Sequence, residues 1–177
     1  MIKNVIRPNY GICLLALVLT LALAGAGWSQ TAAPPAPDAN PYRQAVAHLD
    51  KAEQELTAGN LSSALSLVKQ SNEIFTRLQK ESAAKLAERE LSAQESQQLA
   101  INQKLANEAQ TKADGLLSTA AAKKKEADEL RAKGQAEAGD AAERESKDQY
   151  LQAQTLSIKS ATYALRNQQI IFRFLAP

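Results

Sequence analysis

The sequence predicts an all-α protein: a short N-terminal helix, then a long antiparallel, coiled-coil-like helical hairpin, forming a three-helix base and an alanine-rich stalk. Three observations predict this. No proline stands between Pro41 and Pro177, so nothing in that interval carries the strongest helix breaker. No stretch alternates apolar and polar residues as a half-buried strand does. Apolar residues recur at seven-residue spacing at both ends of the interval, which is the pattern of amphipathic helices. Aromatics make up only 5% of the chain, so little area is available to bury per residue, which suits slender helices better than a globular core.

Residues 1–26 read as a secretory signal peptide. Lys3 and Arg7 precede an apolar run from Ile12, and Ala22, Ala24 and Ala26 offer small-residue cleavage sites. The cut is expected after Ala24 or Ala26. A competing reading makes Tyr10 to Trp28 an uncleaved anchor with an aromatic at each interface; the short apolar run and the overlapping A-x-A sites favour cleavage. Cys13 lies inside the apolar run and not at the cleavage point, so it does not read as a lipid-attachment cysteine. With the signal removed no cysteine remains, which excludes disulfides and thiolate chemistry. The chain has 21 Lys+Arg and 19 Asp+Glu; losing Lys3 and Arg7 leaves 19 against 19. A neutral product has no general electrostatic pull toward nucleic acid.

Residues 27–40 form a proline- and alanine-rich linker. A helix is expected over about 41–58, with Asn40 as N-cap and Pro41 at the first helical position. Its stripe is Ala45, Leu49, Ala52 and Leu56. Gly59 is placed to end this helix and Asn60 to cap the next. The second helix, about 60–113, carries Leu61, Val68 and Phe75 in heptad steps. The third, about 116–175, carries the strongest row: Leu151, Ile158, Leu165 and Phe172, with Leu156, Tyr163 and Ile170 beside it. Two tips compete, Asp114–Gly115 and the region of Gly134 and Gly139. Folding back at 114–115 brings the apolar region 54–78 against 151–175. Because apolar faces must be buried against something, the tip is assigned to 114–115. Acid-first pairs four apart, such as Glu108–Lys112 and Glu143–Lys147, support helicity by about 0.2–0.5 kcal/mol each.

Little in the sequence points to covalent chemistry. His48 is the sole histidine and has no companions of the kind zinc requires, so it reads as a surface or rim residue. No nucleophile elbow, phosphate-binding glycine loop or H-E-x-x-H motif is present. No enzymatic activity, cofactor or metal is expected. The run Lys123–Lys125 is followed at once by Glu126, Asp128 and Glu129, the composition of a solvated helix face. After Asp148 there is no acid, while Lys159, Arg166 and Arg173 recur beside the apolar row and Phe172 and Phe174 close the chain. These five are the candidate partner-binding residues, facing another protein or a membrane surface. The plainer reading makes the row a core whose basic edge meets acids such as Glu53 and Glu55 on the first helix. It is favoured because two helices are available to cover the row.

Two resemblances complete the reading. Residues 43–76 resemble one tetratricopeptide hairpin: Gly59-Asn60 falls on the turn, Ala64 and Ser71 on small positions and Val68 on a larger one. His48 and Lys51 stand where that pattern has bulky apolar residues, and no second copy follows 34 residues on. The stretch AVAHLDKAEQELTAGN also resembles the alanine-rich helical modules of bacterial envelope proteins. That resemblance implies a periplasmic location and a scaffolding role, with other envelope proteins or further copies of this chain as partners. The alternative expectation is a membrane-associated coiled coil, held by an uncleaved anchor or by its basic C-terminal helix.

Overall fold

The structure, a computed structural model, describes residues 40–176. The expected signal peptide and nearly all of the linker lie outside the described residues. The described residues form five α-helices and no strand: α1 (Pro41–Thr57), α2 (Leu61–Glu81), α3 (Ala83–Glu88), α4 (Ala93–Ala132) and α5 (Ala136–Ile171). A 3₁₀ turn at Arg173–Leu175 follows.

The start of α1 is as the sequence dictates. The Asn40 side chain accepts a hydrogen bond from the Tyr42 amide, and proline occupies the first turn. Gly59, at φ +81°, ends the helix in the left-handed conformation that glycine adopts without Cβ repulsion. The Gly59 amide bonds the Leu56 carbonyl, and the Asn60 amide bonds the Glu55 carbonyl, a paired C-terminal cap. Asn60 does not cap α2 with its side chain; its amide group turns back to Glu55.

The expected second helix, 60–113, is broken. α2 ends at Glu81, and after α3 the backbone is extended at Arg89 (ψ 126°). Ser92 then starts α4 with a reciprocal capping box, Ser92 to the Glu95 amide and Glu95 to the Ser92 amide. The Arg89 guanidinium fixes this corner by bonding Glu95 and the Ile170 carbonyl at 2.7 Å each.

The tip at Asp114–Gly115 is overturned. Both residues lie inside α4, and the chain reverses at Lys133–Gln135, with Gly134 at φ +77°. The cap used at Gly59 is repeated there: the Gly134 amide bonds the Arg131 carbonyl and the Gln135 amide bonds the Leu130 carbonyl. A helix tolerates Gly115 at a cost of about 1 kcal/mol, and the Gln110–Asp114 side-chain bond spans that turn. The tip assignment failed because it required the large apolar rows to face each other. The α4–α5 contact is instead made by small residues. Ala106, Ala113, Ala120 and Ala127 on α4 meet Ser160, Ala153, Ser146 and Gly139 on α5, all eight buried. Facing positions add to 266, twice the number of the cap residue Lys133. Two bonds pin the register: the Ser146 and Ser160 hydroxyls donate to the carbonyls of Ala120 (2.8 Å) and Ala106 (2.9 Å).

This frees the opposite face of α5. Ile158, Leu165 and Phe172 join Leu49, Val68, Phe75 and Leu78 in one buried cluster, so the base consists of α1, α2 and the C-terminal half of α5. Leu151 begins the same row but is 54% exposed, because the row extends beyond the α1–α2 hairpin. Beyond the base, α4 and α5 run on as a two-helix stalk, and α4 alone is about 60 Å long.

Candidate functional surface

The five candidate residues divide into two groups. Phe172, 1% exposed, is stacked on Phe75 at 5.9 Å, and Tyr42 meets the edge of Phe75 at 6.4 Å. Arg166 bonds Asp50 and Glu53 of α1 at 2.7 Å and Gln169 at 2.7 Å. Both residues are therefore spent inside the base and are not free for a partner, in keeping with the plainer reading of the basic edge as a partner of α1 acids. The cause is tertiary: α1 and α2 cover the row they belong to. Burial opposes the charge on Arg166, but Glu53 and then Asp50 outweigh it, so its pKa stands above the ordinary guanidinium value. Lys159, Arg173 and Phe174 remain exposed. The Arg89 guanidinium lies 5.5 Å over the Phe174 ring, a cation–π distance.

The two ends of the described chain are joined at this base. Asn40, while capping α1, donates to the Leu175 carbonyl at 2.9 Å, and the Tyr42 hydroxyl donates to the Gln169 carbonyl. Burial raises the Tyr42 pKa, against the pull of Arg173, Arg89 and Arg166. His48 is half-buried, and burial, then neighbouring Lys51, lowers its pKa. Among the described residues no group of three or more His, Cys, Asp or Glu side chains is arranged to hold a metal. No helix among them is long and apolar enough to cross a membrane.

The stalk surface is polar. Among the described residues only Ile101, Leu151 and Phe174 are large apolar side chains exposed to solvent. Near the tip, Lys123 bridges Glu126 and Glu145. Arg131 meets Asp140 and Glu143 across the hairpin, and Lys147 completes the group. Hydrogen bonding from Lys147, then Arg131, depresses the Glu143 pKa to about 2.

The structure also reveals a repetition at a step other than the 34 residues of a tetratricopeptide. A step of 75 positions carries Ala45, Ala52, Gly59 and Ser71 onto Ala120, Ala127, Gly134 and Ser146. The two hairpins built on these residues share one design. Ser71 donates to the Ala45 carbonyl at 2.9 Å as Ser146 does to that of Ala120, and both turns carry the same glycine cap. Facing positions of α1 and α2 add to 116, twice the number of the cap residue Ala58. The residues shared at this step were visible in the sequence. What hid the repetition is that only small seam residues and the turn are common, while the large residues differ.

The hairpins differ on one flank of the seam. In the first, that flank carries Tyr42, Leu49 and Leu56 on α1 and Leu61, Val68 and Phe75 on α2, the face that receives α5. The equivalent positions of the second carry Leu117, Lys124 and Arg131 on α4 and Ala136, Glu143 and Tyr150 on α5. The Arg131–Glu143 pair confirms that these positions share a flank. No family model, no curated protein and no solved structure matches the chain.

Proposed function

We propose that this protein is an exported, non-enzymatic helical scaffold of the bacterial envelope, which binds or spaces other envelope proteins through its helical surface. The observation that carries the reading is the stalk: two helices locked in register by small residues and serine–carbonyl bonds, projecting from a base that consumes the large apolar side chains. Such a hairpin offers length and a long side-chain surface at little cost in core. The N-terminal apolar run and its small-residue cleavage sites support export.

The test joins N-terminal sequencing of the protein from a fractionated Gram-negative host with affinity capture from envelope extract. Cleavage after Ala24 or Ala26, recovery in the periplasmic fraction and saturable capture of envelope proteins are expected. Retention of the full chain in the membrane after carbonate extraction would replace this reading with the anchored one. Empty capture together with a measurable turnover would overturn it.

A further inference from the structure

The described chain turns back on itself between α1 and α2, between α2 and α4, and between α4 and α5, and these turns are not built alike. Gly59 and Gly134 make the first and last, each in the left-handed conformation and each with the paired C-terminal cap. No other described residue has a positive φ. The middle turn is a true reversal. Asn40 meets Leu175 while Glu53 meets Arg166, so α1 runs against α5, α2 runs with it, and α4 runs against both. Between α2 and α4 there is neither glycine nor proline. Helical bonds bridge Ser82, from its amide to the Leu78 carbonyl and from the Leu86 amide to its own carbonyl. Only Arg89, Glu90, Leu91 and Ser92 leave the helix between α3 and α4, and none of these residue types is a strong helix breaker. Side chains hold the corner: Arg89 on Glu95 and on the Ile170 carbonyl, and Ser92 on the Glu95 amide.

We propose that this corner is a hinge, and that the partner it serves is a second copy of this chain. With residues 89–92 helical, α2, α3 and α4 form one continuous helix. The α1–α2 hairpin then leaves its own α5 and seats on the α5 of the second copy, whose hairpin does the same in return. Opening without a partner would expose Leu49, Val68 and Phe75 together with Ile158, Leu165 and Phe172, a cost in apolar hydration that only re-burial removes. In the exchanged dimer every base contact is kept, with Phe75 of one copy on Phe172 of the other. Helical bonds through residues 89–92 replace the corner contacts, and the loss of translational and rotational freedom is what opposes association. Exchange of an identical element is a low-cost route to a dimer for this reason. The two stalks point in opposite directions, so two lengths of the 40-residue α4 give a reach of about 120 Å. The exchange requires no envelope partner and goes beyond the scaffold reading.

Two coexpressed full chains test it. One carries Asp50→Lys with Glu53→Lys, the other Arg166→Glu. Each hairpin then repels its own α5 and matches the α5 of the other chain. Native mass spectrometry should find mixed dimers several-fold beyond the proportion that random pairing gives, because a dimer without exchange leaves each hairpin on its own α5. In the otherwise native chain, Arg89→Ala with Ser92→Ala removes the corner contacts and should raise the dimer fraction several-fold by light scattering. The extended backbone of Arg89 accepts a following proline, whereas a continuous helix does not. Glu90→Pro should therefore abolish the dimer while circular dichroism keeps its helical signal. Mixed dimers at the random proportion, or monomers throughout, would overturn the exchange, as would a dimer that Glu90→Pro leaves intact. Each of those results leaves the scaffold reading standing. The charge-exchanged chains have an unaltered corner, so they decide the matter even where a hinge variant fails to fold.

Discussion

Ser146 donates its hydroxyl to the backbone carbonyl of Ala120 at 2.8 Å, across a helix pair whose seam has no large side chain at that level. A side chain this short reaches the facing backbone only if the two helices approach closely. The contact therefore both requires and fixes the small-residue seam, and Ser71 with Ala45 repeats it in the first hairpin.

Substitution at this contact should separate its two roles. Ser146→Ala removes one buried hydrogen bond while keeping the volume small, and should cost about 1 kcal/mol. Ala120→Leu forces side-chain bulk into the seam and should cost about 1–3 kcal/mol. Thermal unfolding followed by circular dichroism checks both; a smaller loss in Ala120→Leu than in Ser146→Ala would mean that the hydroxyl, and not close approach, governs the seam.

Two glycines should respond with opposite signs. A Cβ on Gly139 would lie 2.7 Å from Arg131 Cγ and 3.0 Å from the Ala127 carbonyl oxygen. Arg131 is held by Asp140 and Glu143 and cannot easily yield. Gly139→Ala should therefore loosen the tip despite its helix-propensity gain of about 1 kcal/mol. Gly115 has nothing within 4 Å of the same added atom, so Gly115→Ala should stabilise α4 by about 0.5–1 kcal/mol. Hydrogen exchange of residues 127–139, with melting temperatures, distinguishes the two outcomes.

The base should fail locally before the stalk does. Phe172→Ala removes a stacked ring from the cluster that seats α1 and α2 on α5, a loss of about 3–5 kcal/mol. Faster exchange is expected in α1 and α2, with the α4–α5 amides near Ala120 keeping their protection. Arg166→Met should cost about 1 kcal/mol or less, because Asp50 and Glu53 are half-exposed and screened by water. If exchange quickens uniformly in Phe172→Ala, base and stalk form one cooperative unit.

Acid should weaken the tip. The Glu143 pKa falls from an ordinary value of 4.5 to about 2 in the folded chain. A depressed carboxylate contributes its stability fully above the unfolded pKa and loses it as pH falls through the folded one. The contribution of this group should thus decline between about pH 4.5 and pH 2, and more weakly at high salt. Glu143→Gln should flatten that part of the melting-temperature profile; an unchanged profile would assign the acid sensitivity elsewhere.

The sequence by itself determined the all-helical class, the limits of α1, the glycine stop at Gly59 and the large apolar row on α5. These are local matters: propensity, caps and heptad spacing act within a few residues. The capping box at Ser92–Glu95 was also local and legible, yet the continuous second helix passed over it. Which face of α5 meets which helix was settled only by the tertiary structure. The apolar row of α5 could be buried against either neighbour, and apolar attraction, being non-directional, does not choose between them. The choice fell to close packing. Alanine, serine and glycine allow α4 to come near along one face of α5, which leaves Ile158, Leu165 and Phe172 to receive α1 and α2 on the other. That division moved the tip to Gly134 and spent Arg166 and Phe172 within the base.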